Sequence, residues 1–555
     1  MQADGERTGR AWRVLTLAVP AAFLAVFFAW PVGTIVVTPL VDGNGLATIG
    51  EVLGDGRTWD IAWFTTWQAI ASTVLTVVVG IPGAWVASRV RFRGRLLFRS
   101  AVTVPFVLPT VVVGTAFLGL LGRGSPLTSG IATVLGLDRP PDLTSGVAAL
   151  LVAHVFFNYA VVVRTVGARW SSIDPRTEEA ARMLGASPLR AFREVTWPRL
   201  RPAVAAAAAI VFLFTFTSFG VVLILGDGRL ATLEVEIYRT TAQLLDLPTA
   251  SVLALLQMAA VVASLVVHGR LSRGVDGRER LARQAATLRR PTGRGERTLF
   301  AAVLVGSAML VGAPILALLE RSLRVGDGYG LRWFTSLGET TGILFVPPTE
   351  AITNSLVFGA GAALVALVVG GLAAVAATSG GRAGRIMDRA LMVPLGTSAV
   401  TLGFGFLITL DSPPLDLRSS ALLVPLAQGL VAIPFVVRAM VPALRSIDPR
   451  LRQAATMLGA SPRQVRRHVD LPIVFRAATV AAGFAYAVSL GEFGATSFIA
   501  RGDRPTLPIA IFRLLGQPGA MNVGRAMAMS VILMLVVMAV TATVDRMRVG
   551  ELGAF

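Results

Sequence analysis

The strongest constraint on this chain is a succession of apolar runs, each long enough to cross a bilayer. A spanning helix needs about 20 predominantly apolar residues. By that rule about twelve spans can be placed, six in each half of the sequence. The first six fall near 12–38, 62–88, 98–121, 145–168, 202–226 and 248–268. The second six fall near 298–319, 353–378, 388–410, 419–440, 476–500 and 524–544. Only 15% of residues are charged, against about 25% in an ordinary soluble domain. The first run is long, has basic flanks and is followed by no clear small-residue cleavage site. It therefore reads as a retained helix and not a removed signal peptide. The expected fold class is an all-α polytopic membrane protein.

Composition then excludes several chemistries. There are no cysteines, which removes disulfides, thiolate metal sites and cysteine nucleophiles. There is no lysine either, and codon usage in a GC-rich genome is the simplest account. One consequence is firm: a phosphate-binding loop of the G-x-x-x-x-G-K-[ST] type needs its lysine. If ATP drives this protein, another subunit binds it.

The net charge of +19 points to a membrane topology and not to nucleic acid. Arginines cluster in "SRVRFRGRLLFR", around the two "MLGASP" segments, in "GRAGR" and "DRMR", and in the long stretch between the halves. With about twelve spans and a cytoplasmic N-terminus, all of these fall on one side. The alternate loops, such as "VDGNGLATIGEVLGDG", carry fewer arginines and more acids. Cationic loops stay in the cytoplasm, so both termini are expected there. Residues 269–297 then form an Arg-rich cytoplasmic linker, read first as a solvated connection and second as a contact for anionic membrane lipid.

The halves repeat. "AARMLGASP" begins at Ala180 and "AATMLGASP" at Ala454. The match extends without gaps from Val162 against Val436, and the flanking helices fall in matching places. An even number of spans between the copies preserves orientation, which makes the halves parallel six-helix repeats. Repeated halves with a pathway at their interface are a common transporter design.

The repeated segment reads as a helix-turn-helix at the membrane surface. Asp174-Pro175 and Asp448-Pro449 place a capping carboxylate before a proline at the first helical position. Gly185 and Gly459 supply the left-handed residue that ends the helix. Ser187-Pro188 and Ser461-Pro462 repeat the cap and open a second short helix. Ala180, Ala181, Ala454 and Ala455 leave a low-relief face, and Met183, Leu184, Met457 and Leu458 offer apolar contacts. Such a helix can dock in a partner's groove. An internal packing helix is the plainer alternative, but two copies matched in caps and glycine favour a partner surface.

Here a resemblance enters. The pattern E-A-A-x-x-x-G followed by I-x-L-P is similar to the cytoplasmic loop of permease subunits in binding-protein-dependent ABC importers. The first copy gives Glu179, Ala180, Ala181 and Gly185, then Val195, Trp197 and Pro198. The second gives Gln453, Ala454, Ala455 and Gly459, then Val469, Leu471 and Pro472. Gln453 replaces the glutamate and Trp197 a leucine. The resemblance implies a type I importer permease fold, in a bacterial plasma (inner) membrane, with coupling loops at 172–200 and 446–474. The permease domains would be 1–268 and 298–555. It implies two ATP-binding cassette ATPase subunits and an extracellular or periplasmic solute-binding protein as partners. It implies no cofactor and no catalytic residue in this chain. Fused double permeases of this build resemble the iron(III) and thiamine importer group. The stretches from Leu223 and from Ser489 lean toward thiamine.

Few polar groups lie inside the runs, and an ionisable one there is a functional candidate because burial in lipid is costly. Glu492, in "SLGEFGATSF", is the clearest, and the repeat shift carries it onto Ser218. A carboxylate near the interface of the halves would suit a cationic solute; a structural acid bound to an arginine or to backbone amides is the competing reading. His154 and Asn158 are weaker candidates, read as bridges between helices. The three histidines, His154, His268 and His468, are scattered and make no metal site. Two other function classes compete with the importer reading. A secondary transporter would need a polar discontinuous-helix site in both halves, and none is evident. A membrane-embedded enzyme would need paired carboxylates or a nucleophile beside a base, and neither is found.

Overall fold

The computed structural model describes residues 14–41, 44–144, 146–272, 288–340, 342–378, 381–391, 393–411 and 413–549. Among these, eleven helices are long and apolar enough to cross a membrane, and one further apolar helix is shorter. In chain order they are α1 (Val14–Val41), α2 (Gly56–Arg89), α3 (Thr110–Leu135), α4 (Val147–Ser172), α5 (Pro188–Phe216), α6 (Leu247–Arg270), α7 (Arg294–Leu323), α8 (Pro348–Thr378), α9 (Ala399–Thr409, the short one), α10 (Leu423–Arg445), α11 (Arg467–Gly491) and α12 (Ala520–Met547).

The third and ninth expected spans are broken where the sequence reading ran through. The helix Arg95–Val107 stops at Leu108, which is extended (ψ 136°). Proline at 109 is the reason, since its ring disfavours the helical region for the residue before it. In the second half the expected 388–410 span is instead Gly381–Ala390, a tight turn at Pro394–Gly396, and α9. Ser398 restarts the helix by accepting a hydrogen bond from the Thr401 amide at 3.0 Å.

Packing groups the chain into two compact units that interleave along the sequence. One comprises Leu53–Glu236 and Ala259–Arg332; the other comprises Met1–Val52, Ile237–Met258 and Trp333–Phe555. Thus α7 packs within the unit built mainly from the first half, and α1 within the unit built mainly from the second.

In the first unit α2 meets α4 through glycine. A Cβ at Gly80 would lie 2.6 Å from Val162 Cγ1, so only glycine permits this approach. The hydroxyls of Tyr159 on α4 and Ser307 on α7 lie 2.7 Å apart and buried. Phe300 packs on Phe92 with centroids 5.1 Å apart. Arg321 donates to the Arg123 carbonyl at 2.7 Å. Of the expected linker, residues 273–287 lie outside the described residues. Its last part is tied down: the Arg289 amide donates to the Arg89 carbonyl at 3.0 Å, and the Arg91 amide to the Arg289 carbonyl at 2.9 Å.

The second unit repeats the plan with its own residues. Gly370 of α8 faces Val436 of α10, with a Cβ placed 3.1 Å from Val436 Cβ. Val436 is the residue onto which Val162 maps. A second matched detail is polar: the Leu233 amide donates to Thr65 Oγ1 at 3.0 Å in the first unit. The Leu507 amide donates to Ser355 Oγ at 2.6 Å in the second. Here α1 lies against α9, where a Cβ at Gly405 would meet Pro31 Cβ at 3.0 Å.

These glycine contacts give a direct expectation. Gly80→Val forces α2 from α4, and overpacking of this kind costs about 1–3 kcal/mol. The purified chain should melt several degrees lower in detergent. Gly33→Val, at a position with nothing within 4 Å of the added Cβ, should melt as wild type. Equal melting of both variants would refute the glycine contact.

Candidate functional site

The two repeated segments fold as twin helix-turn-helix units. In the first, Asp174 Oδ1 accepts from the Arg176 amide at 3.0 Å and opens the helix Pro175–Met183. Gly185 takes φ +90°, and its amide donates to the Arg182 carbonyl at 3.0 Å while Ala186 donates to Ala181 at 3.1 Å. Ser187 Oγ then accepts from the Arg190 amide at 3.3 Å and opens the next turn. In the second, Asp448 Oδ1 accepts from the Arg450 amide at 2.9 Å ahead of Pro449–Met457. Gly459 takes φ +84°, and Ala460 donates to the Ala455 carbonyl at 3.0 Å. After each unit a π-helical turn, Phe192–Thr196 or Arg466–Asp470, leads into the membrane helix.

Glu179, Ala180, Gly185, Pro198, Gln453, Ala454, Gly459 and Pro472 are exposed, and Ala181 and Ala455 half-buried. The tips stand out most. Met183, Leu184, Met457 and Leu458 are 88–90% exposed. Large apolar side chains this open, at equivalent positions of two polar segments, form a surface that is apolar without any packing role inside the chain.

What holds each segment to its membrane helix was not legible beforehand. Glu178, beside the singled-out Glu179, accepts from Thr196 Oγ1 at 3.0 Å. The equivalent pair in the second copy is Arg452 and Asp470, joined at 2.8 Å. One position pair thus carries two different chemistries. The adjacent glutamates were a signal that one faces inward, but not which.

The expected pathway residues both sit at chain reversals, not inside spans. Glu492 follows the last residue of α11 and is 6% exposed. Its Oε1 accepts from the Ala495 amide at 2.7 Å and its Oε2 from the Thr496 amide at 3.0 Å. Both amides lie at the start of the short helix Thr496–Ile499, so the Glu492 carboxyl group is engaged by backbone. Ser218 lies in the reversal between α5 and the short helix Gly220–Leu225. Its Oγ is 2.8 Å from His154 Nε2, and His154 Nδ1 is 3.1 Å from Ser72 Oγ. Asn158 Nδ2 donates to the His154 carbonyl at 3.1 Å. His154 thus bridges α2, α4 and the reversal after α5. His468 Nδ1 lies 3.0 Å from the Gln464 carbonyl, within the second segment.

One aromatic cluster is assembled from residues far apart in the sequence. Tyr238 meets Phe498 edge-on at 5.5 Å and Phe512 at 6.5 Å. Phe512 meets Phe493 at 5.5 Å, and Phe498 meets Phe404 at 6.5 Å. All five belong to one compact unit. The repeat shift carries Tyr238 onto Phe512, and applying it there would have exposed the pair.

A bundle of membrane-crossing helices with two matched, apolar-tipped surface segments is the arrangement to be compared with known proteins. The chain matches the family described as "Binding-protein-dependent transport system inner membrane component" over residues 80–277 and 366–548, and it belongs to that family. It is a multi-pass component of an ABC importer in the inner membrane. It is 31% identical over 507 residues to "Thiamine transport system permease protein ThiP" of Brucella abortus (strain 2308), covering 90% of each chain. It is 27% identical to the protein of that name from Escherichia coli (strain K12), covering 83% of this chain and 84% of the other. It is 26% identical to "Probable ABC transporter permease protein y4fN" of Sinorhizobium fredii (strain NBRC 101917 / NGR234), covering 88% of this chain and 89% of that one. A solved structure, "Crystal structure of a bacterial ABC transporter involved in the import of the acidic polysaccharide alginate", aligns at a TM-score of 0.41 and 14% identity, covering 49% of this chain and 98% of that one.

Proposed function

We propose that this chain forms the whole transmembrane pathway of a thiamine importer, with both termini in the cytoplasm. Its two permease domains, 1–268 and 298–555, are joined by the linker 269–297. Two ATPase subunits dock on the two repeated segments, and an extracellular or periplasmic binding protein delivers the solute. The observation that carries the reading is the exposure of Met183, Leu184, Met457 and Leu458 at matched tips. Each ATPase would bury one tip, with Glu179, Ala180, Ala181 and Gly185, or Gln453, Ala454, Ala455 and Gly459, around it. Pro198 and Pro472 stiffen the connections to the membrane helices. The docking sites differ in charge, with Glu179 and Arg182 in the first matched by Gln453 and Thr456 in the second. The solute assignment is supported by relatives named as thiamine permeases.

The test is reconstitution of the chain in vesicles with its ATPase and binding protein. Labelled thiamine should accumulate only with ATP and binding protein present, and excess iron(III) should not compete. Uptake driven by an ion gradient without ATP would sink the importer reading. ATP-driven uptake blocked by iron(III) would sink the solute assignment alone.

A further inference from the structure

Tyr238 and Phe512 occupy equivalent places in the two repeats, and their rings touch, with centroids 6.5 Å apart at an interplanar angle of 79°. A residue that touches its own repeat-equivalent lies on the axis that relates the repeats. In a permease of parallel repeats the pathway runs along that axis. Tyr238 sits on the helix Leu233–Ala242, between α5 and α6, and Phe512 on Leu507–Leu515, between α11 and α12. The exposed tips of the repeated segments, Met183 and Leu184 or Met457 and Leu458, precede α5 and α11. The rings therefore stand across the membrane from the ATPase surface, at the outer end of the pathway.

The surroundings fit a closure that opens. Tyr238, Phe498 and Phe512 are only partly buried, whereas Phe404 and Phe493 behind them are buried. Edge-on aromatic contacts are individually weak, so such rings can part at low cost. Each supporting helix is also pinned at its start, by Leu233 to Thr65 and by Leu507 to Ser355. The rings can swing while the helix starts stay fixed.

We propose that Tyr238 and Phe512, backed by Phe498, form an aromatic gate on the repeat axis that seals the pathway and stacks the planar ring of the solute as it enters. The inference rests on the importer reading above and adds the solute class: a flat heteroaromatic ring.

The experiment uses the complete complex in vesicles with labelled thiamine as probe. Tyr238→Ala with Phe512→Ala should leak thiamine without ATP and lose about ten-fold in ATP-driven uptake. Tyr238→Phe keeps the ring and should stay sealed and within about two-fold of wild type. A double alanine variant that is tight and fully active overturns the gate. So does a Tyr238→Phe variant as impaired as the alanine one. A second arm avoids dependence on folding. The chain has no native cysteine, so Tyr238→Cys with Phe512→Cys can be bridged by a short reducible cross-linker after assembly. Bridging should stop transport, and reduction should restore it; unchanged transport when bridged refutes the gate. If the wild-type complex moves no thiamine, yet bridging abolishes ATP hydrolysis stimulated by the binding protein, the gate stands and the thiamine assignment falls.

Discussion

Leu184→Asp combined with Leu458→Asp is expected to abolish ATP-driven transport, lowering the rate at least about 100-fold, while the membrane helices insert and pack normally. The two leucines are 90% and 89% exposed, so the isolated chain has no packing there to lose. Docking would bury them, and a buried leucine contributes about 1.5–3 kcal/mol. An aspartate loses that term and adds the desolvation of an unpaired charge. Each 1.4 kcal/mol is ten-fold in rate or affinity, and two sites are affected. Single variants should lose about ten-fold each. The glycine turns predict a smaller effect. At Gly185 and Gly459 an added Cβ meets nothing within 4 Å, so a β-branched residue suffers only the left-handed backbone, about 1–2 kcal/mol. The check is co-purification of the ATPase together with uptake in vesicles. If the double aspartate variant retains the ATPase and transports normally, the tips are not the docking surface.

The parts of this molecule legible in sequence are those whose cause is local. Asp174, Pro175 and Gly185 each act within a few residues, and the structure forms the cap and the left-handed turn they encode. The apolar runs are equally local and place all the spans except the third and the ninth. The break at Leu108 was within reach, since Pro109 writes it, but a length rule passes over a proline inside an apolar run. The grouping of α1 with second-half residues and of α7 with first-half residues left no local trace. It depends on which surfaces meet, such as Ser307 with Tyr159 or Gly405 with Pro31. Likewise Glu178 and Glu179 are adjacent and chemically identical. Only the fold decides that Glu178 reaches Thr196 while Glu179 faces out.

Glu492 is where the sequence leaves two readings open, and its substitution should be among the most damaging in the chain. As a lone carboxylate in an apolar run it reads as a contact for solute charge or as a structural acid held by an arginine or by backbone amides. In the structure its two oxygens accept the amides of Ala495 and Thr496, and both bonds are buried. Glu492→Ala would leave two buried donors unmet, at about 1–3 kcal/mol each, and would free the reversal that starts Thr496–Ile499. Ser218, its counterpart, fixes the matching reversal through His154 and Ser72, so neither half holds this bend by backbone alone. Glu492→Ala should therefore lower the melting temperature markedly and reduce the assembled fraction. Glu492→Gln keeps one acceptor oxygen but turns an NH2 toward the other amide. It should fall between alanine and wild type in stability, with transport per assembled complex reduced no more than stability predicts. The charge-reading alternative expects the reverse: a glutamine variant that melts as wild type yet transports poorly at saturating binding protein. That result would make the carboxylate a contact for a cationic solute. It would also leave the two amide bonds without energetic weight, which two buried hydrogen bonds at 2.7 and 3.0 Å do not permit unless the reversal itself moves during transport.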